Sequence, residues 1–330
     1  MATPWHSHWI DKAAGRVFQR PMMFSDGWGS IEAIEALLAL GLPDDLEIDV
    51  RRATPQPTRF GWQCRLRFAS PSAHPRLPAA SLSAVGLWLS PSREPDPDRP
   101  LCVMLAASGE EGFGRRVRVG AGLVKEGAEL ILLENPFYGV RRPPGQQSSR
   151  VHRVFDQFLM NRTTVIEAVA LLRWLRERRE GPLAINGFSM GGYMAALAVG
   201  LGPPGVGAAI CAAGLSAAPV YTEGELSRSV DWSALAPEVG SRQRARDRLR
   251  TLLESDAIQP GNFGDSGPAV IIGAERDGYV PAREVQALHD AWAGSRLKWL
   301  SGGHVAAYSY HDDEIRGAIR RAMRPSPRPA

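Results

Sequence analysis

Cysteine is scarce in this 330-residue chain: Cys64, Cys102 and Cys211 are the whole set, each in an apolar, strand-like stretch and none in a CxxC pair. So sparse and odd a set excludes a disulfide framework and a cysteine-based metal centre. It predicts reduced thiols in a core and a cytoplasmic setting. Lysine is rarer still for its class, confined to Lys12, Lys125 and Lys298, so arginine carries the positive charge. The net charge is only +4, and no basic stripe interleaved with aromatics occurs, so nucleic acid is not an expected partner. Nor does any uninterrupted apolar run reach about 18 residues, the minimum for a membrane-spanning helix. The nearest approach, Met194 to Gly214, is broken by "GPPG". The opening "MATPWHSHWIDKAAGRVFQR" has no basic region followed by an apolar one, so no signal peptide is expected. A soluble chain follows as the expectation, with peripheral contact to a membrane left open.

What is present is ordinary globular material, 44% hydrophobic and 22% charged, in a chain long enough to bury a large core. Residues 1–60 read as an N-terminal helical extension, with a helix from about Ser30 to Leu40 ended by "GLPDD". Two strands joined by turns alone, "WQCRLRFAS" and "AVGLWLS", fit an antiparallel edge, and "PSREPDPDRP" is too proline-rich for any ladder. From Leu101 the rhythm becomes strand–helix alternation, through "LCVMLAAS", "AELILLENPF", "PLAINGF", "VGAAICAAG", "PAVIIGAE" and "LKWLSGG". The central runs are continuously apolar, as in strands covered on both faces. The prediction is an α/β fold: a doubly wound, mostly parallel sheet spanning 61–323, with antiparallel N-terminal edge strands. Roughly fifty residues without strand character, about 216–265, form a helical cap insertion over the strands' C-terminal ends. Residues 324–330 are a tail.

One junction carries chemistry. "GPLAINGFSMGGYMAALAVG" passes from an apolar strand into a small-residue helix through Gly-x-Ser-x-Gly, with Ser189 at the corner. That pattern alone is a weak signal; its strand–turn–helix setting is what a nucleophile elbow requires. A serine hydroxyl needs a base, and the base an orienting acid. Asp277 in "PAVIIGAERDGYVP" follows the fifth parallel strand, and His304 in "LKWLSGGHVAAY" follows the sixth, in the chain order such a triad takes in this fold. Individually the three could be a helix cap, a turn aspartate and a satisfied histidine. Rivals fit worse: Glu275 is too early on its strand, Asp265 precedes it, and His289 and His311 lie inside helices. His6, His8 and His74 fall outside the alternating region, and His152 sits in a long loop that could approach the site. The oxyanion hole needs two backbone N–H donors. Met190 is expected to supply one, and the loop "LAASGEEGFG" the other, from Ser108 with Gly109 as second choice. Glu110 and Glu111 would oppose an oxyanion they faced and are expected to turn outward.

With these residues in place the chain resembles the α/β-hydrolase superfamily and, more closely, the family of alpha/beta hydrolase domain-containing protein 18. The resemblance runs from about Phe24 to Met323 and rests on "ENPFYGVRRP", "GFSMGGYMA", "VYTEGELSRSVDW" and "GGHVAAY", with "FASPSAHPRLP" a looser match. It implies a hydrolase fold with a triad on Ser189, Asp277 and His304 and a serine ester hydrolase activity of carboxylesterase or lipase-like kind. It implies no metal or organic cofactor and no defined substrate. A small-molecule or lipid ester is the expected partner; the oligomeric state is not predicted. An acyltransferase using the same triad, or a non-catalytic binding protein on the same fold, are the alternatives. Arg141 and Arg142, after a strand end on the Ser189 rim, are candidates to bind a carboxylate or phosphate of the substrate, against a reading as solvated loop arginines. Tyr221 and Trp232, with Leu226 and Val230, are candidates to line an acyl pocket, against simple packing on the sheet.

Overall fold

The computed structural model describes residues 11, 22–72, 74–259 and 263–325. Helix α1 (Ile31–Ala39) starts where the Ser30 hydroxyl accepts the Ala33 N–H at 3.1 Å, an N-cap that satisfies one of the free donors of the first turn. Strands β1 (Arg51–Arg52), β2 (Gln56–Thr58), β3 (Gly61–Ala69) and β4 (Ser83–Ser90) follow. On β3 the buried Cys64, Leu66 and Phe68 alternate with exposed Arg65, Arg67 and Ala69, the period of a strand with one face on a core. β4 pairs with it antiparallel, from Trp62 opposite Ser90 to Ala69 opposite Ser83.

Beyond β4 the alternation begins: β5 (Leu101–Leu105), α2 (Gly114–Lys125), β6 (Glu129–Leu133), α3 (Val154–Arg176), β7 (Leu183–Phe188), α4 (Met190–Leu201) and β8 (Gly207–Cys211). Helices α5 (Ala218–Thr222), α6 (Trp232–Val239) and α7 (Arg242–Ser255) separate β8 from β9 (Ala269–Ala274). Then come α8 (Ala282–Ala291), β10 (Arg296–Leu300), α9 (His304–Tyr310) and α10 (Asp312–Ala322). The sheet runs β1-β3-β4-β6-β5-β7-β8-β9-β10, with β2 on β3. The joint between β4 and β6 is antiparallel, and all pairs from β6 onward are parallel. The fold is therefore the mixed, mostly parallel sheet with antiparallel N-terminal strands that the sequence predicts.

Every residue of β5 to β9 is buried, because helices cover both faces. One core packs the sheet against α3 and α4, through residues such as Leu171 and Met194. On the other face Leu123 of α2 and Ile319 of α10 pack against Leu130 and Val270. A third cluster joins α1, the first turns of α3 and helices α5 to α7, with Trp28, Phe155, Tyr221 and Leu249 among its members. The fully buried Trp28 donates its indole N–H to the Leu235 carbonyl at 2.9 Å, tying residues before α1 to α6.

Residues 51–58, expected within a helical extension, instead add β1 and β2 to the sheet; so short and exposed a pair has no apolar pattern to announce it. His6, His8 and residues 326–330 of the expected tail lie outside the described residues. No helix of the described residues is long and apolar enough to cross a membrane.

Candidate active site

The loops after β5, β7, β9 and β10 all leave the carboxyl end of the parallel strands, so the residues they carry meet on one rim of the sheet. Ser189 stands between β7 and α4 with φ 54° and ψ −121°, one of five non-glycine residues at positive φ among those described. Its neighbours explain how the corner is held. A Cβ on Gly187 would lie 2.1 Å from the Gly191 carbonyl, and one on Gly191 would lie 2.7 Å from the Ala106 carbonyl oxygen, so both positions require glycine. The Ser189 N–H donates to the Cys211 carbonyl on β8 at 2.8 Å, anchoring the corner to the next strand. The Ser189 side chain does not cap α4. It lines a cavity instead.

Asp277 and His304 meet. The Asp277 Oδ2 lies 2.7 Å from the His304 Nδ1, while its Oδ1 accepts the N–H groups of Tyr279 and Val280, both at 2.8 Å. Those two backbone donors fix the carboxylate's orientation, so the second oxygen is aimed at the imidazole. The ring packs edge-on against Phe188, the residue before Ser189, and tilted against Tyr279, with centroids 5.0 Å away in each case. Burial disfavours a charge on this ring. The charge and hydrogen bond of Asp277, with Asp11 beyond it, outweigh that penalty and hold the His304 pKa above the ordinary 6.5.

The rival groups are placed elsewhere. His152 faces Asp26 at 3.7 Å, His289 bonds the Ser295 hydroxyl, His311 faces Glu314, and His74 packs on Phe155. Glu275 and Asp265 are exposed.

Ser108 and Met190 line the same cavity as Ser189. In the loop after β5 the Gly109 N–H is taken by the Tyr138 hydroxyl at 3.2 Å and the Ala107 N–H by the Glu110 carboxylate at 3.2 Å. Among the described residues the N–H groups of Ser108 and Met190 have no acceptor. The expectation that Glu110 turns outward is corrected: its side chain is 7% exposed and pairs with Arg116 at 2.8 Å. Arg116 also donates to the Met104, Leu133 and Gly112 carbonyls, so the loop is clamped to two strand ends and the glutamate's charge is neutralised in place. Glu111 does lean to the surface, accepting the Gly139 N–H at 3.1 Å and facing Arg142 at 3.7 Å.

The arginines do not face the cavity. Arg141 is fully buried, and its two terminal nitrogens grip Glu167 of α3 at 2.6 and 2.8 Å and the Ser81 and Glu134 carbonyls. It is neither a substrate ligand nor a solvated loop arginine; it bolts the loop after β6 to α3. Arg142 closes its own loop through the Gln147 carbonyl and pairs with Glu111. Of the two aromatic candidates, Tyr221 lines the cavity and stacks on Phe24 at 6.0 Å. Trp232 does not: its indole donates to the Ser227 carbonyl and Arg246 covers its ring, so it packs within the helical layer.

The cavity, about 460 Å³ with its open mouth included, is walled further by Asn161, Tyr193, Leu226 and Val280. Asn161 and Gln157, four residues apart on α3, form a buried amide pair at 2.9 Å, and Gln157 also reaches the Met190 sulfur at 3.4 Å. Two amides at helical spacing inside the apolar "VFDQFLMN" were the available signal for them. Among the described residues no group of three or more His, Cys, Asp or Glu side chains is placed to hold a metal ion.

The sequence profile described as "Alpha/beta hydrolase domain containing 18" matches residues 22–260 and 264–325. Among solved structures, an acetyl xylan esterase from Paenibacillus sp. R4 is 14% identical. The match covers 88% of this chain and 92% of that one, with a TM-score of 0.58. Acetyl xylan esterase 1 from Thermoanaerobacterium sp. JW/SL YS485 is 12% identical over 92% of this chain and 98% of its own, with a TM-score of 0.55. At those identities the likeness is one of fold.

Proposed function

Since the chain belongs to the alpha/beta hydrolase domain containing 18 family, we propose that it is a serine hydrolase that cleaves a small-molecule or lipid ester at Ser189. The observation that carries this reading is the 2.7 Å contact of Asp277 with His304, whose ring packs on the residue before a serine hydroxyl not used as a helix cap. With Asp277 engaging Nδ1, the imidazole presents Nε2 as the base. Nε2 takes the Ser189 proton while Oγ bonds to the ester carbonyl carbon, and the carbonyl oxygen gains the charge. The N–H groups of Ser108 and Met190, without an acceptor among the described residues, receive that oxyanion. The tetrahedral adduct collapses, His304 gives its proton to the departing alkoxide, and an acyl group remains on Ser189. Water, deprotonated by His304, then attacks the acyl carbon, and the carboxylic acid leaves as Ser189 regains its proton.

The narrow cavity lined by Tyr193, Tyr221 and Leu226 supports binding of the acyl part beside Oγ. A fluorophosphonate probe tests the reading directly, because it reacts only with an activated serine. Wild-type protein is expected to take up one adduct and Ser189→Ala none; a folded wild type that stays unlabelled would overturn the proposal.

A further inference from the structure

Asp11 is fully buried. Its Oδ2 accepts the N–H of His304 at 2.8 Å and that of Gly278 at 3.1 Å, and its Oδ1 accepts the N–H of Val305 at 2.9 Å. One carboxylate thus joins the first turn of α9, which His304 opens, to the residue after Asp277. The N-cap position of α9 is Gly303, which has no side chain to satisfy those donors. A Cβ on Gly303 would lie 2.3 Å from the Asp11 Oδ2, so the glycine makes the room that Asp11 fills. The cap comes from a residue 293 positions away in the chain instead of from its neighbour.

We infer that Asp11 is a positioning residue of the active site, whose carboxylate holds the His304 turn and the Asp277 loop in register; this rests on the reading of Ser189, Asp277 and His304 as one catalytic unit. A capping side chain on residue 303 would tie down the helix alone. A carboxylate from a third segment ties the helix to the loop, so the distance between base and acid does not depend on β9 and β10 by themselves. It also places a second negative charge beside the ring. The titratable groups against His304 are Asp277 at Nδ1, Asp11 at its backbone and Tyr279, whose ring is tilted against it. Glu225 stands further off, bonded through its N–H to the Gly278 carbonyl and paired with Arg228 at 3.2 Å. Burial opposes protonation of the ring; Asp277 and then Asp11 favour it.

The test compares Asp11→Asn and Asp11→Ala with the parent in two readouts. In the Ser189→Ala background, NMR titration of the His304 ring needs no turnover. Both Asp11 variants are expected to lower its midpoint by about 0.5 pH unit, since a nearby negative charge has gone. In the active protein kcat is expected to fall about tenfold with KM held within about twofold, the mark of a lost orientation and not of lost binding. Gly303→Ala supplies a second route, because its methyl group collides with the Asp11 carboxylate. It should reproduce the Asp11→Ala defect and add little to it in the double variant. A His304 midpoint unmoved in both Asp11 variants, or a Gly303→Ala defect of full size without the carboxylate, overturns the inference. Should wild type fail to label with fluorophosphonate while the His304 midpoint still moves, it is the hydrolase reading that fails, and the hold of Asp11 on His304 stands.

Discussion

Ser189 holds a backbone conformation that L-residues rarely adopt, and it does so because glycines on either side let strand and helix meet with no spare residue. Positive φ with extended negative ψ costs a non-glycine residue on the order of 1–3 kcal/mol. Glycine would remove that cost and lose part of the gain to its greater freedom when unfolded. Ser189→Gly is therefore expected to abolish ester hydrolysis and raise the unfolding free energy by about 1 kcal/mol in urea titration. A loss of stability would mean the corner is not strained. The placing of Ser189, Asp277 and His304 was legible in the sequence because each sits at the end of an apolar run. Glu110 was not: its inward turn depends on Arg116, whose guanidinium is fixed by carbonyls from two strand ends. No spacing along the chain encodes a partner of that kind.

At the scale of elements, the buried parallel strands β5 to β9 could be read from hydrophobic continuity, β10, half exposed, only from the strand–helix rhythm, and α1 from its "GLPDD" stop. Arg141 shows where such reading ends. Two adjacent arginines in a loop look like surface charge, and nothing near them in sequence points to Glu167, 26 residues on and buried in α3. The pair fastens the loop after β6 to the helix whose first turns wall the cavity. Removing one member of a buried ion pair strands the other, which costs about 3–5 kcal/mol. Arg141→Ala is expected to lose that much in urea unfolding, and Arg141→Lys to recover little of it. A single ammonium cannot grip both carboxylate oxygens and two carbonyls at once. Had Arg141 bound substrate, Arg141→Lys would raise KM and leave stability intact; that pattern is the contrary outcome.

For the molecule as a whole, the order of site residues along the chain was legible because the fold dictates it, while the closure of the site by Asp11 was not. Contacts spanning 267 to 294 residues leave no local pattern. The electrostatic result of that closure has a consequence for the entire protein. His304 binds its proton more tightly folded than unfolded, since Asp277 and Asp11 outweigh burial. Its stabilising contribution is complete below about pH 6.5, the unfolded value, and is lost as pH rises through the higher folded value. The proposed mechanism requires the neutral ring, so kcat/KM should climb over that same interval, with a midpoint above 6.5. Other groups titrate nearby. Asp256, pushed up to about 7 by burial against the opposing charge of Arg162, also withdraws stability as pH rises. His74, lowered by its burial and by Arg76 and Arg162, acts the other way: its contribution is lost as pH falls below 6.5 and regained as pH rises to it. Comparing wild type with His304→Gln cancels both. The difference in unfolding free energy between the two proteins is expected to shrink from pH 6.5 upward, by about 1.4 kcal/mol for each pH unit separating folded and unfolded values. It should level off near the pH at which wild-type kcat/KM is half maximal. Stability and activity would thus move in opposite directions on one titration. A difference that stays flat or grows with pH, or a kcat/KM independent of pH through neutrality, would show that His304 is not the carboxylate-held base with a raised pKa described above.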